Sequence, residues 1–164
     1  MRGLGIAASE PSRVYVSGGA SAVLLGWRPT TIDLDLKLAP ASDELLRAMG
    51  SLKAELELNV ELAAPDQFIP ELPGWQERSP LVLRHDLVSF HHFDFYAQAL
   101  AKIERGHAKD LADARMMLTE RLIAPDELRR LYRAVEPLLY RYPEIDPPSF
   151  REAVERFLAS EEPG

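Results

Sequence analysis

Two stretches of strict alternation constrain this chain most. In "TIDLDLKL", residues 31–38, Ile32, Leu34, Leu36 and Leu38 share one side while Thr31, Asp33, Asp35 and Lys37 share the other. In "AELELNVELA", residues 54–63, Leu56, Leu58, Val60 and Leu62 oppose Glu55, Glu57, Asn59 and Glu61. A period of two is the mark of a half-buried strand, so both stretches predict strands of one sheet with an apolar face inward and a carboxylate-rich face outward. Aspartates at i and i+2 of one strand repel unless something positive lies between them. A divalent cation is the usual resolution, and solvated charges on an outward face are the plainer one.

The rest of the chain supplies partners for such a sheet. "RVYV" predicts a short strand, and "SGGASAVLLG" predicts a tight turn running into a short helix. "SDELLRAMGSL" carries a Ser/Asp cap signal, with Leu45, Leu46 and Met49 at helical spacing, and predicts a helix stopped near Gly50. "APDQFIPELPGWQERSP" is rich in proline, with no clear period. It predicts an ordered surface loop anchored by Phe68, Ile69 and Trp75. "LVLRHDLVSFHHF" predicts a hairpin turning at His85-Asp86. From Asp94 onward the period is helical, with Pro125 opening one helix and Pro143, Pro147 and Pro148 separating the last two. The expectation is an α+β fold, a small mixed sheet flanked by helices over 1–93, followed by a C-terminal helical part over 94–164, the two forming one compact unit.

Composition narrows the function classes. A chain of 164 residues, 46% apolar and 27% charged, supports one globular domain with a real core. No run approaches the roughly 20 apolar residues of a membrane helix, and "MRGLGIAASE" lacks the apolar core of a secretory signal, so no membrane partner and a cytoplasmic location are expected. With no cysteine there is no disulfide or zinc-thiolate site. A bound metal would sit among oxygen or imidazole ligands, which favours Mg2+ or Mn2+. The net charge of -7 argues against a surface that coats nucleic acid, though local basic clusters can still act.

The candidate site gathers around the aspartates. Glu61, on the second alternating stretch, is the candidate for a third carboxylate. Gly18-Gly19, just ahead of a helix, would expose backbone N–H groups at the positive end of the helix dipole, a seat for phosphate. Ser17 and Ser21 flank that turn. Arg28 lies just before the aspartate strand, and its guanidinium fork suits phosphate, with an exposed loop charge as the alternative. Lys102, Arg105 and Lys109 fall at i, i+3 and i+7, one face of a helix if Gly106 does not end it first. They are either a functional cluster or a solvated basic face. Asp110 and Asp113 either orient these bases or pair with them, and Asp110 near a helix start also reads as a cap. His91, His92 and His107 make no convincing ligand pair, and Trp27 and Trp75 are either base-stacking residues or packing anchors.

Taken together, the Gly-Gly turn, the short helix and the Asp-x-Asp on the next strand resemble the first motif of the minimal nucleotidyltransferases of the DNA polymerase beta superfamily. The likeness extends to the toxin-like branch that includes the AbiEii-type proteins. "GGASAVLLGWRPTTIDLDL", the 64–80 loop and "AQALAKIERGHAKDLADARMML" are similar to that branch's glycine turn and aspartate pair, linking loop and helical Lys/Arg–Asp element. It covers about residues 12–123. The resemblance implies that Asp33 and Asp35 hold the metal ions bridging a nucleoside triphosphate, that Gly18, Gly19 and Ser21 cradle phosphate oxygens, and that Lys102 meets the triphosphate, with Arg105 beside it. Glu61 would be the third carboxylate, with Asp66 its rival because the superfamily more often has Asp there. The activity implied is transfer of a nucleoside monophosphate from a triphosphate to a hydroxyl of an RNA 3′ end, such as that of tRNA, or of a protein. A toxin–antitoxin pairing with an antitoxin protein is also implied. The rival expectation is a non-catalytic nucleotide-binding or protein-interaction module on the same fold.

Overall fold

The computed structural model describes residues 1–160. They form an α+β fold: a five-stranded mixed sheet with helices against it, and a set of further helices after it. Two compact units are distinguished. One comprises residues 1–64 and 76–93, the other residues 65–75 with the described residues from 94 onward.

In the first unit the chain runs α1 (Arg2–Ala7), β1 (Ser12–Ser17), α2 (Gly18–Leu25), β2 (Asp33–Ala39), α3 (Asp43–Leu56), β3 (Asn59–Glu61), β4 (Leu81–His85) and β5 (Val88–His92). The strands lie in the order β3-β2-β1-β5-β4. β1 pairs antiparallel with β2 and parallel with β5, β2 pairs parallel with β3, and β4 and β5 form the antiparallel hairpin, with Asp86 in the left-handed region at φ 52. The apolar side of the alternation carries Val14 and Val16 of β1, Leu36 and Leu38 of β2, and Val88 and Phe90 of β5. These bury against Leu4 of α1, Ala20 of α2, and Leu45 and Met49 of α3. Each such side chain contributes about 1.5–3 kcal/mol on burial, which is what fastens the helices to this face.

Four expectations are corrected here. α3 does not stop near Gly50 but runs to Leu56 and ends at Glu57 in a left-handed conformation (φ 52, ψ 30). Gly50 has open space where a Cβ would be, a mid-helix glycine costs only about 1 kcal/mol, and Leu45, Met49 and Leu52 continue the helical stripe. Consequently the second alternating stretch is helix up to Leu56, and only Asn59–Glu61 is strand. Ile32 lies ahead of β2 and is 70% exposed, outside the core face to which its alternation assigned it. Phe68 is half exposed and no anchor, whereas Ile69 and Trp75 are buried.

The second unit contains a 3-10 turn (Pro65–Gln67), α4 (Phe95–Arg105), α5 (Ala108–Thr119), α6 (Pro125–Val135), a 3-10 segment (Glu136–Arg141) and α7 (Pro147–Ala159). α6 buries Leu128, Leu131, Tyr132 and Val135, an i, i+3, i+4, i+7 stripe, and Tyr132 meets Phe150 of α7 edge to face at 5.0 Å between centroids. Asp94 caps α4 by accepting from the Tyr96 N–H, and Asp146 caps α7 by accepting from the Ser149 N–H. Gly106 closes α4 at φ 70. Among the described residues no helix is long and apolar enough to cross a membrane.

Candidate functional site

The polar face of the sheet is organised by register. Asp35 of β2 stands opposite Ser17 of β1 on one side and Glu61 of β3 on the other, and Asp33 stands opposite Asn59. Asp33, Asp35 and Glu61 therefore share one end of one face, as the alternation predicted. Like charges directly opposite on neighbouring strands are unfavourable, so the arrangement must be relieved locally. Asn59 does part of this: its Nδ2 donates to Asp33 Oδ1 at 3.1 Å and to Glu61 Oε1 at 3.0 Å.

Asp35 turns toward the glycine pair. A Cβ built on Gly18 would lie 2.7 Å from Asp35 Oδ2, and Gly18 has φ +62, so both space and backbone restrict this position to glycine. A Cβ on Gly19 would lie 2.6 Å from Thr31 Oγ1 and 3.3 Å from Arg28 Nη1. The glycine turn, Asp35, Thr31 and the half-buried Arg28 guanidinium thus meet where β1 gives way to α2. Thr31 is itself held by its Oγ1, which accepts from the Asp33 N–H at 3.2 Å and donates to the Asp33 carbonyl at 3.1 Å. The opening turn of α2 adds peptide N–H groups at the positive helix end.

Ser21 is placed differently from its expected role. It is fully buried between Ala20 and Ala22, on the packed side of α2, and its Oγ shares a 2.6 Å hydrogen bond with His92 Nδ1 of β5. Burial holds the His92 pKa below its ordinary value, so the imidazole is neutral at pH 7. Ser21 and His92 fasten the glycine-turn helix to the sheet. His91 is also structural: its Nδ1 meets the Ser79 carbonyl, its Nε2 meets Ser89 Oγ, and its ring lies 5.5 Å from that of Tyr15.

Lys102 and Arg105 belong to the second unit and are engaged there. Lys102, only 5% exposed, places Nζ 2.7 Å from Asp113 Oδ2 and 3.3 Å from Asp110 Oδ1. Arg105 donates to Asp110 through Nε at 2.7 Å and Nη2 at 2.6 Å, a bidentate pair. Gly106 ends α4, so Lys109 falls on α5 and the i, i+3, i+7 face is interrupted. Asp110 is not the cap of α5; His107 occupies that position. Burial alone would raise the Asp110 pKa. The Arg105 hydrogen bonds and the Lys102 charge outweigh it and hold the carboxylate below its ordinary range. Of the alternatives the sequence left open, pairing is the geometry found. Asp66 lies in the 3-10 turn of the same unit, where its carbonyl accepts from Tyr142 Oη.

The donor set on the sheet face is all oxygen, the chemistry Mg2+ and Mn2+ require. Among the described residues no group of three or more acidic or histidine side chains is placed to hold a metal ion. Magnesium is commonly held by one or two carboxylates together with substrate phosphates and water, and Asp33 and Asp35 can supply those two. Asn59 was the element missed from sequence. In the sequence it stands only as one more polar residue of the alternation, because the period does not report the strand register that sets its amide between Asp33 and Glu61. No family model, curated protein or solved structure matches the chain.

Proposed function

We propose that this chain binds a nucleoside triphosphate at the Gly18-Gly19 turn and transfers its nucleotidyl group to an acceptor hydroxyl. The observation that carries the reading is the meeting of Asp35 Oδ2, the Arg28 guanidinium and the glycine turn at the start of α2. A phosphate seat of backbone N–H groups and an arginine fork stands beside carboxylates suited to a magnesium-bound substrate. The likeness of "GGASAVLLGWRPTTIDLDL" to the minimal nucleotidyltransferases supports the same reading.

In the reaction an acceptor oxygen attacks the α-phosphorus in line. The new phosphorus–oxygen bond forms as the bond to the bridging oxygen breaks, and pyrophosphate leaves with the electron pair. Glu61 takes the acceptor proton, as the carboxylate on the polar sheet face not assigned to the cation. Arg28 and the α2 amides orient the phosphates, so the protein contributes positioning and charge. A divalent cation on Asp33 and Asp35 would supply Lewis acidity at the phosphoryl oxygens. RNA 3′ ends or protein hydroxyls are the acceptor classes, and an antitoxin protein is the regulatory partner that the resemblance suggests.

One observation favours nucleotide binding without turnover: Lys102 and Arg105, the cations expected at the triphosphate, are engaged with Asp110 and Asp113. The first experiment is thermal unfolding with each of the four nucleoside triphosphates, with and without Mg2+, on the wild type and Asp33→Ala. Stabilisation of about 2.7 kcal/mol is expected at ligand 100 times above its dissociation constant. It should require Mg2+ and vanish in the variant; no shift with any nucleotide overturns the proposal.

A further inference from the structure

α5 ends in a Schellman arrangement. The Leu122 N–H donates to the Met117 carbonyl at 2.9 Å and the Arg121 N–H to the Leu118 carbonyl at 3.0 Å, and Arg121 is held at φ 57. That position favours glycine, because a Cβ crowds the backbone in the left-handed region. α2 and α4 meet the same demand with Gly26 at φ 91 and Gly106 at φ 70. At the end of α5 the chain carries an arginine and bears the strain. A cation suits the carboxyl end of a helix, but a basic residue in the last turn serves the dipole without a left-handed backbone, as Arg133 does in α6. The dipole therefore accounts for the charge and not for its place.

Arg121 lines a cavity of about 490 Å³ within the helical unit, together with Tyr96, Leu118, Thr119, Ile123 and Pro125. The volume is that of a small-molecule site. Its walls are apolar and aromatic: Leu118 and Tyr96 are half-buried, Ile123 is buried, and the Tyr96 hydroxyl accepts from the Ala124 N–H at 3.1 Å, which fixes the ring. The acids that open α6 are turned to their own helix. Asp126 accepts from Arg129 at 3.4 Å, and Glu127 accepts from Arg130 Nε at 2.7 Å. Among the described residues none pairs with the Arg121 guanidinium.

We propose that this cavity binds a small organic anion, its carboxylate or phosphate head on Arg121 and its apolar body against Tyr96, Leu118 and Ile123. The strained backbone sets the guanidinium at the cavity, and it serves binding rather than folding. The site lies wholly in the helical unit and does not rest on the nucleotide reading. Glycine at position 121 would relieve the backbone and remove the anion contact in one step, so stability and binding should move apart.

The test is calorimetric titration of the full chain with phenylacetate and phenyl phosphate. Phenylacetamide supplies the body without the charge, and inorganic phosphate the head without the body. The wild type is compared with Arg121→Gly and with Arg121→Met, which keeps an apolar stem if glycine loosens the turn. At least one of the two organic anions should bind the wild type more tightly than the amide or inorganic phosphate, and the tighter of the two names the head group. Both variants should lose affinity on the order of tenfold, the equivalent of one charge-assisted hydrogen bond. The unfolding midpoint of Arg121→Gly should equal or exceed that of the wild type. Equal binding of the amide, unchanged affinity in both variants, or no binding of either organic anion at millimolar concentration overturns the site. A lower midpoint in Arg121→Gly also overturns it, because the arginine would then serve the fold.

Discussion

Gly18 and Gly19 are adjacent and chemically identical, yet their surroundings separate what each does. At Gly18 an alanine would hold a non-glycine residue at φ +62, about 1–2 kcal/mol of backbone strain, and push its Cβ against the Asp35 carboxylate. At Gly19 no such backbone demand exists, but the added methyl would lie 2.6 Å from Thr31 Oγ1, 3.2 Å from Thr31 Cβ and 3.3 Å from Arg28 Nη1, so the hydroxyl bonded to the Asp33 backbone and the guanidinium must both give way. Gly18→Ala should therefore lower stability and nucleotide affinity together. Gly19→Ala should lower the unfolding midpoint less than Gly18→Ala, since only side chains must shift, while weakening triphosphate binding on the order of tenfold, the loss of about one guanidinium–phosphate contact. Denaturant unfolding and calorimetric titration of both variants check this; a Gly19→Ala protein that binds like the wild type would remove Arg28 from the site. At this scale the sequence was informative, since glycines, aspartates and arginine could all be singled out. Ser21 could not be placed, because nothing in the spacing tells which side of a two-turn helix faces the sheet. Only the hydroxyl's contact with His92 settles that.

Among the elements, the junction of α4 and α5 most changes the meaning of its residues. The sequence gives Lys102, Arg105 and Lys109 one helical face. Gly106 breaks it, and α5 folds back so that Asp110 and Asp113 reach Lys102. Buried ion pairs contribute little net stability but are costly to break, because removing one partner leaves charge in a poorly solvated place. Lys102→Met should thus destabilise the protein by roughly 3–5 kcal/mol. A residue that served only as a triphosphate ligand would instead lower affinity at constant stability, so paired unfolding and nucleotide-binding measurements separate the two roles. Acid unfolding offers a second readout. Asp110 is held below its ordinary value of 3.8, so its stabilisation is fully present above that pH and is lost as pH falls through the lower folded value. Losing the Lys102 charge should bring that loss to higher pH. The same dependence on context explains the misread end of α3. "AELEL" satisfies period two, but the helix stripe from Leu45 reaches Leu52, and burial of that stripe decides the conformation. The β4–β5 hairpin and the helices from Asp94 were legible because turn residues and caps mark them locally.

At the scale of the whole molecule, chain order and compact units disagree in one place. Residues 65–75 lie between strands in sequence but belong with the helical unit, so the chain passes from one unit to the other at 64/65, 75/76 and 93/94. Prolines and a lack of period made this segment look like a surface loop, and no local signal reports which unit its apolar side chains join. Ile69, Leu72 and Trp75 are at most 4% exposed. At about 1.5–3 kcal/mol each, their burial amounts to roughly 5–9 kcal/mol, comparable with the net stability of a typical domain. A cut at the boundary between sheet and helices, yielding residues 1–93, would keep every strand and the glycine turn but leave those three side chains without the helical unit that they join. That fragment should aggregate or bind a hydrophobic dye, whereas the same fragment with residues 66–74 replaced by a short Gly/Ser linker and Trp75→Ser should remain soluble and retain the strand signal in circular dichroism. Binding of Mg2+ nucleotide by the relinked fragment would then place the phosphate seat wholly within the sheet unit. Its failure to fold would show that the two units depend on each other for stability.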